Sequence, residues 1–195
     1  NEKDKFDVIV IGSSHAYRGY DPRIFEKNNI KMFNLGTSGQ SLLNSYYIAK
    51  NYISSSNCKL VILDVYDGAL ASDGLESTAD LTQNISSAKA AVEMGLALKD
   101  PRMFNMLTVR MFTSADVPMY VDSSYIGNGY SEKRDSIKTV DKRLYNQKLE
   151  INKEQIFYLK NILEFFKSSH INAVAITHPS PKEGNGVNHE KFYHI

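Results

Sequence analysis

Two serines follow directly on a run of branched aliphatic residues: Val8, Ile9, Val10 and Ile11 lead into Gly12, Ser13 and Ser14. Such a run suits a strand covered on both faces of a parallel sheet. A glycine and two serines at its end deliver a hydroxyl to the carboxyl edge, where open α/β sheets bind ligands. The chemistry this permits is acyl transfer, in which the hydroxyl attacks a carbonyl carbon once a neighbouring base takes its proton. Ser14 is the expected nucleophile. The same tripeptide also suits a plain βα turn, with glycine making the bend and a serine capping the next element. It is not the Gly-x-Ser-x-Gly elbow, because Ala16 stands where the second glycine belongs. Nor does the stretch from Gly12 to Gly19 fit a dinucleotide or P-loop spacing.

Two further segments should meet the first at one edge of the sheet. Residues 34–41 (Asn-Leu-Gly-Thr-Ser-Gly-Gln-Ser) follow a short apolar strand, and Tyr66, Asp67 and Gly68 end a third one. In this order, after consecutive strands, Ile11-Gly12-Ser13-Ser14 and residues 34–41 resemble the first two blocks of the SGNH, or GDSL-type, hydrolases. Ser13 stands where that superfamily usually has aspartate, and Ser14 stands at the nucleophile position. The resemblance implies that the Gly39 N–H joins the Ser14 N–H in holding an oxyanion, and losing one such donor costs about 3–4 kcal/mol of transition-state stabilisation. His15, beside the nucleophile, would line the pocket. Tyr66 occupies the place of the asparagine that supplies another oxyanion donor, while Asp67-Gly68 resembles the residues next after that asparagine. A packed tyrosine at a strand end accounts equally well for Tyr66.

The family's last block, Asp-x-x-His, is missing, since no aspartate follows Asp141. The base is therefore expected beyond Ile195, unless the site is degenerate or another histidine takes the role. His178, at the end of a predicted strand, is the in-chain candidate of lower weight. His170 reads as a solvated or capping histidine at a helix end. His189-Glu190 and His194 miss the zinc motif, because a spacing of five turns the second histidine ~140° around a helix. No metal site and no organic cofactor are expected. Asp64 and Asp67 suggest a carboxylate pair for glycoside chemistry, but Asp64 lies within the strand run. Tyr46, Tyr47, Tyr120, Tyr125 and Tyr130 suit packing better than a carbohydrate groove.

The elements that must position these residues are those of one α/β domain of 195 residues. A formal charge of +1 gives no reason to propose nucleic acid. Cys58 is the lone cysteine, so no internal disulfide forms. No apolar run approaches the ~20 residues of a membrane helix, and the segment reads as soluble. Asp21-Pro22 is expected to open the first helix. A strand at 31–35, a helix at 42–53 and a strand at 59–65 come next, the alternation of a parallel sheet. From 69 to 149 no buried strand is evident, and the region is expected to be a mainly helical insertion over the sheet's carboxyl edge. It holds helices at 86–98 and from 101 to 112, then a polar stretch with Gly127-Asn128-Gly129 at its centre. A helix at 152–169 and a strand at 172–177 complete the reading. The start at Asn1 suggests a removed tag, signal peptide or anchor, and the chain is expected to continue past Ile195.

The resemblance implies a three-layer, flavodoxin-like parallel sheet with that insertion. It further implies a serine esterase or O-acyltransferase acting on an acylated carbohydrate or cell-envelope polymer. The Gly-Ser-Ser variant looks most like bacterial cell-envelope members that work beside membrane-bound O-acyltransferases, which implies an extracytoplasmic or membrane-anchored protein. Two other classes compete: a catalytically inactive SGNH-like module that binds glycan or an assembly partner, and a flavodoxin-like domain that binds phosphate or nucleotide.

Overall fold

A computed structural model describes residues 5–112, 123–133 and 150–177. Its elements begin with β1 (Phe6–Ile11), α1 (Ser14–Gly19), α2 (Pro22–Glu26), β2 (Met32–Asn34), α3 (Leu42–Tyr52) and β3 (Cys58–Asp64). Four helices come after these: α4 (Asp67–Ala71), α5 (Leu75–Asn84), α6 (Ala88–Ala97) and α7 (Pro101–Phe112). The last described elements are β4 (Tyr125–Gly127), β5 (Tyr130–Ser131), α8 (Lys153–Ser168) and β6 (Ala173–Ile176).

The protein is an α/β fold with a parallel four-stranded sheet in the order β2-β1-β3-β6. Strand β1 holds the centre, with Val8 opposite Met32 on β2 and Leu60 on β3. Successive side chains of a strand point to opposite faces, and the two faces of this sheet bury different partners. Ile9, Ile11, Val61 and Leu63 pack with Leu43, Ile48 and Ala49 of α3, Leu81 of α5, Met94 of α6, and Ile162 and Phe166 of α8. Val8, Val10, Met32 and Ile62 pack with Ala16 of α1, and with Tyr20, Phe25 and Ile30 around α2. Strand β6 lies at one edge of the described sheet, and all four of its residues are exposed.

The first helix begins earlier than Asp21-Pro22. Helix α1 starts at Ser14, directly after the loop at Gly12, because Ser13 caps it and Ala16 has apolar cover on the Val8 face. The described residues between 69 and 133 also hold more order than the sequence suggests. Helix α5 lacks an apolar stripe because its inward residues are largely polar: Ser77, Thr78 and Thr82 are buried there beside Leu81. Leu81, Ile85, Ala90, Ala91 and Met94 join the same buried cluster as the sheet. The hairpin β4–β5 turns through Gly127, Asn128 and Gly129, all at positive φ. It sits at the carboxyl end of β2, where the Asn34 N–H donates to the Asn128 carbonyl at 2.9 Å. Arg23 on α2 ties the hairpin down by an ion pair to Glu132 at 2.9 Å.

Candidate active site

Strand β1 sends its chain to β2 by way of α1 and α2 on one face of the sheet. The chain then returns across β1 to β3 by way of α3 on the other face. Neighbouring parallel strands whose connections leave in opposite directions open a crevice at their carboxyl ends. Here those strands are β1 and β3, and the segments at that crevice are Gly12-Ser13-Ser14-His15 and Tyr66-Asp67-Gly68.

Gly12 sets the closeness of the two strand ends. A Cβ there would lie 2.7 Å from the Asp64 Cβ and 2.9 Å from the Ala16 Cβ, separations that real side chains do not adopt. Ser13 comes next with extended backbone and is buried, its hydroxyl accepting from the His15 N–H at 3.3 Å as the cap of α1. The cap answers one of the donors that a helix start leaves unpaired. The Ser13 side chain also hydrogen-bonds Tyr66, so this serine serves as a strut rather than as an open ligand group. Ser14, the first residue of α1, is partly exposed. No described group hydrogen-bonds its hydroxyl, and its N–H has no acceptor within the helix.

Tyr66 ends the third strand segment as the cap position of α4. Its ring lies over Gly68, where a Cβ would fall 2.4 Å from Cε2, and it meets the exposed His15 ring edge-on at 4.4 Å between centroids. Burial pushes the Tyr66 phenol above its ordinary range, the Ser13 hydrogen bond opposes that, and the charge of buried Asp64 adds to it. Tyr20 is pushed up to about 12 by burial first and the charge of Asp64 second. Both phenols therefore stay protonated through the neutral range. Asp67 is the first residue of α4, where a negative charge suits the helix dipole.

The loop after β2 is brought against this cluster. The Thr37 N–H donates to the Gly12 carbonyl at 3.2 Å, and the Leu35 N–H donates to the Val10 carbonyl at 2.8 Å. A Cβ on Gly36 would stand 3.0 Å from the Ser13 carbonyl oxygen. Gly39 turns the chain with φ of 59° and is exposed, and a Cβ placed on it would meet nothing nearer than the Ser77 Cβ at 4.0 Å. Gln40 is buried and holds the turn from inside, accepting from the Thr37 hydroxyl and donating to the Ser45 hydroxyl, both at 2.9 Å.

The start of α3 is then fixed from two distant helices. Asn44 accepts from the Ser77 hydroxyl at 2.6 Å and donates to the Thr78 hydroxyl at 2.8 Å, and with Ser41 it forms a capping box. Gln155 on α8 accepts from the Leu42 and Leu43 N–H groups at 2.9 and 3.2 Å. These partners lie far away in sequence and carried no signal beyond being polar. A cleft of about 340 Å³ also borders this loop, lined by Gly36, Thr37, Ile48, Leu81 and Ile85 among others; Ser14 is not among its walls.

Ser13, Ser14, His15, Tyr66 and Asp67 are thus gathered at one strand crevice, with the Gly36–Thr37 backbone against it and Gly39 two residues further on. His178, proposed as a base, lies outside the described residues, as do Tyr120, His189 and His194. Among the described residues no group of three or more His, Cys, Asp or Glu side chains is placed to hold a metal. No helix among them is long and apolar enough to cross a membrane.

No family model matches the sequence, and no curated protein matches it. Among solved structures the chain is similar to a gut microbial diltiazem-metabolizing enzyme at 12% identity and a TM-score of 0.30. That alignment covers 89% of this chain and 37% of the other, and the likeness is too slight to carry an argument.

Proposed function

We propose that the parallel sheet is the core of a three-layer, flavodoxin-like domain of SGNH type, and that Ser14 is the nucleophile of an esterase or O-acyltransferase. The substrate class is an acylated carbohydrate or cell-envelope polymer, and residues 69–149 are the insertion that would shape its binding. One observation carries the reading. Ser14 stands at the β1/β3 crevice, partly exposed, with a hydroxyl that no described group engages, while Ser13 beside it is buried and caps α1.

In the proposed step the Ser14 oxygen attacks the acyl carbon as its proton passes to a base. The carbonyl π electrons move onto oxygen, which the Ser14 and Gly39 N–H groups face. As this intermediate collapses the base returns the proton to the leaving alcohol, an acyl-serine remains, and water or a sugar hydroxyl, deprotonated by the same base, then takes the acyl group and frees the Ser14 hydroxyl. The histidine that serves as base lies outside the described residues in this reading.

A second reading, an inactive module that binds glycan, draws on the position of Tyr66. Its hydroxyl is engaged with Ser13, where an asparagine side chain would be turned to the oxyanion.

Labelling with a fluorophosphonate separates the two. The enzyme reading predicts one phosphonyl group per chain, mapped to Ser14 by peptide mass. In Ser14→Ala, labelling and ester hydrolysis should fall at least ~10³-fold, with a melting temperature near that of the parent. Labelling that survives Ser14→Ala contradicts the nucleophile. No labelling at all, together with saturable glycan binding by calorimetry, would favour the inactive module.

A further inference from the structure

Asn34 closes β2 and is buried, at 2% exposure. Both ends of its side-chain amide are in use. Nδ2 donates to the Ala16 carbonyl on α1 at 2.8 Å, and Oδ1 accepts from the Gly36 N–H at 2.9 Å. One side chain therefore spans the helix that begins with Ser14 and the loop that leads to Gly39. Its backbone is held from a third direction by the Asn128 carbonyl of the hairpin. The gap it spans is also packed tight, since a Cβ on Gly36 would lie 2.9 Å from Asn34 Oδ1, 3.0 Å from the Ser13 carbonyl oxygen and 3.1 Å from the Ala16 Cβ.

We infer that Asn34 is a positioning residue that fixes the Ser14-bearing helix against the Gly39-bearing loop. The inference rests on the acyl-transfer reading of this site. Asn34 does not touch substrate, because it is buried and its polar atoms are spent. It acts by geometry: a displacement of about 1 Å at such a site can cost ~10²-fold in rate, even where substrate still binds.

The test is inactivation by a fluorophosphonate, resolved into its maximal rate (kinact) and its half-saturating concentration (KI). The parent, Asn34→Ala, Asn34→Asp, Gly36→Ala and the Asn34→Ala/Gly36→Ala pair are compared, with thermal melts run beside them. Asn34→Ala should lower kinact by about 10- to 100-fold while KI stays within about threefold and the protein remains folded at the assay temperature. Gly36→Ala should give the same signature by the opposite route, wedging the segments apart instead of releasing them. The pair should lose less than the product of the two single losses, because both act on one gap. Asn34→Asp keeps an acceptor for Gly36 but sets a buried carboxylate oxygen against the Ala16 carbonyl, so it should lower kinact at least as much as Asn34→Ala.

A folded Asn34→Ala with unchanged kinact overturns the inference, as does a loss carried by KI alone. If Asn34→Ala does not fold, Gly36→Ala and Asn34→Asp decide by the same criterion. A parent protein that is never labelled at Ser14 overturns the acyl-transfer reading itself and the inference with it.

Discussion

The loop after β1 and the loop after β2 meet at the same place but are built differently. Residues 12–15 are held mainly by their immediate surroundings: a glycine that only a bare α-carbon can fill, a serine that caps its own helix, and Tyr66 leaning on that serine. Residues 34–41 are held by partners from across the chain: Ser77 and Thr78 on α5 act through Asn44, and Gln155 on α8 acts through the start of α3. On the proposed reading the difference separates chemistry from support. Among the described residues the first loop leaves one hydroxyl unengaged, and the second spends nearly every polar group on keeping its shape.

Perturbing the second loop from afar should give the largest change in stability. Gln155→Ala would leave the Leu42 and Leu43 N–H groups buried without their acceptor, at a cost of about 3 kcal/mol. For a chain of this size that lowers the melting temperature by about 6–12 °C. Hydrogen exchange resolved by peptide should quicken over residues 40–45 and stay unchanged over 12–17. Equal quickening in both segments would show that the loops are not separately supported.

The first loop should answer to its glycine. Gly12→Ala drives a methyl group against Asp64 and Ala16, and overpacking of this kind costs about 2 kcal/mol. The displacement moves α1, so Ser14 labelling should slow more than the stability loss accounts for. Labelling at the parent rate would mean that the β1/β3 closeness does not govern the reactivity proposed for Ser14.

The smallest effect belongs to a control at the other end of the sheet. Lys59 and the Lys31 N–H hydrogen-bond Asp7 and hold its carboxyl below the ordinary 3.8. A carboxyl depressed in the folded state stabilises above its unfolded pKa, and the contribution is lost as pH falls through the folded value. Asp7→Asn should therefore be slightly less stable than the parent at neutral pH. The gap should close as pH falls through and below the ordinary carboxylate range, and neither loop should change. A gap that widens in acid would contradict the ion pair.

Legibility in the sequence divides along the same line. The buried strands β1 and β3, the serine at the end of β1 and the glycine turn at 39 could be read directly, because each is written in a few adjacent residues. Helix α1 could not, because its start signal is the same Gly-Ser-Ser that reads as a turn, and its apolar cover rests on Ala16 alone. Helix α5 was hidden by Ser77, Thr78 and Thr82, polar residues that face inward because Asn44 and its neighbours give them partners. The double use of Asn34 was equally out of reach, since its second partner, Ala16, becomes its neighbour only when β2 pairs with β1. Local chemistry survives in a sequence window, whereas cross-chain hydrogen bonds do not.

The proposed acyl transfer requires the Ser14 hydroxyl and the Gly39 amide to face one hollow, and a crystal structure of the Ser14 phosphonate adduct tests that directly. The expected adduct has a phosphoryl oxygen about 2.7–3.1 Å from both the Ser14 and Gly39 nitrogens, with the Asn34 clamp intact. An adduct whose oxygen points to solvent, with the Gly39 N–H turned toward Ser77 and out of reach, would contradict it.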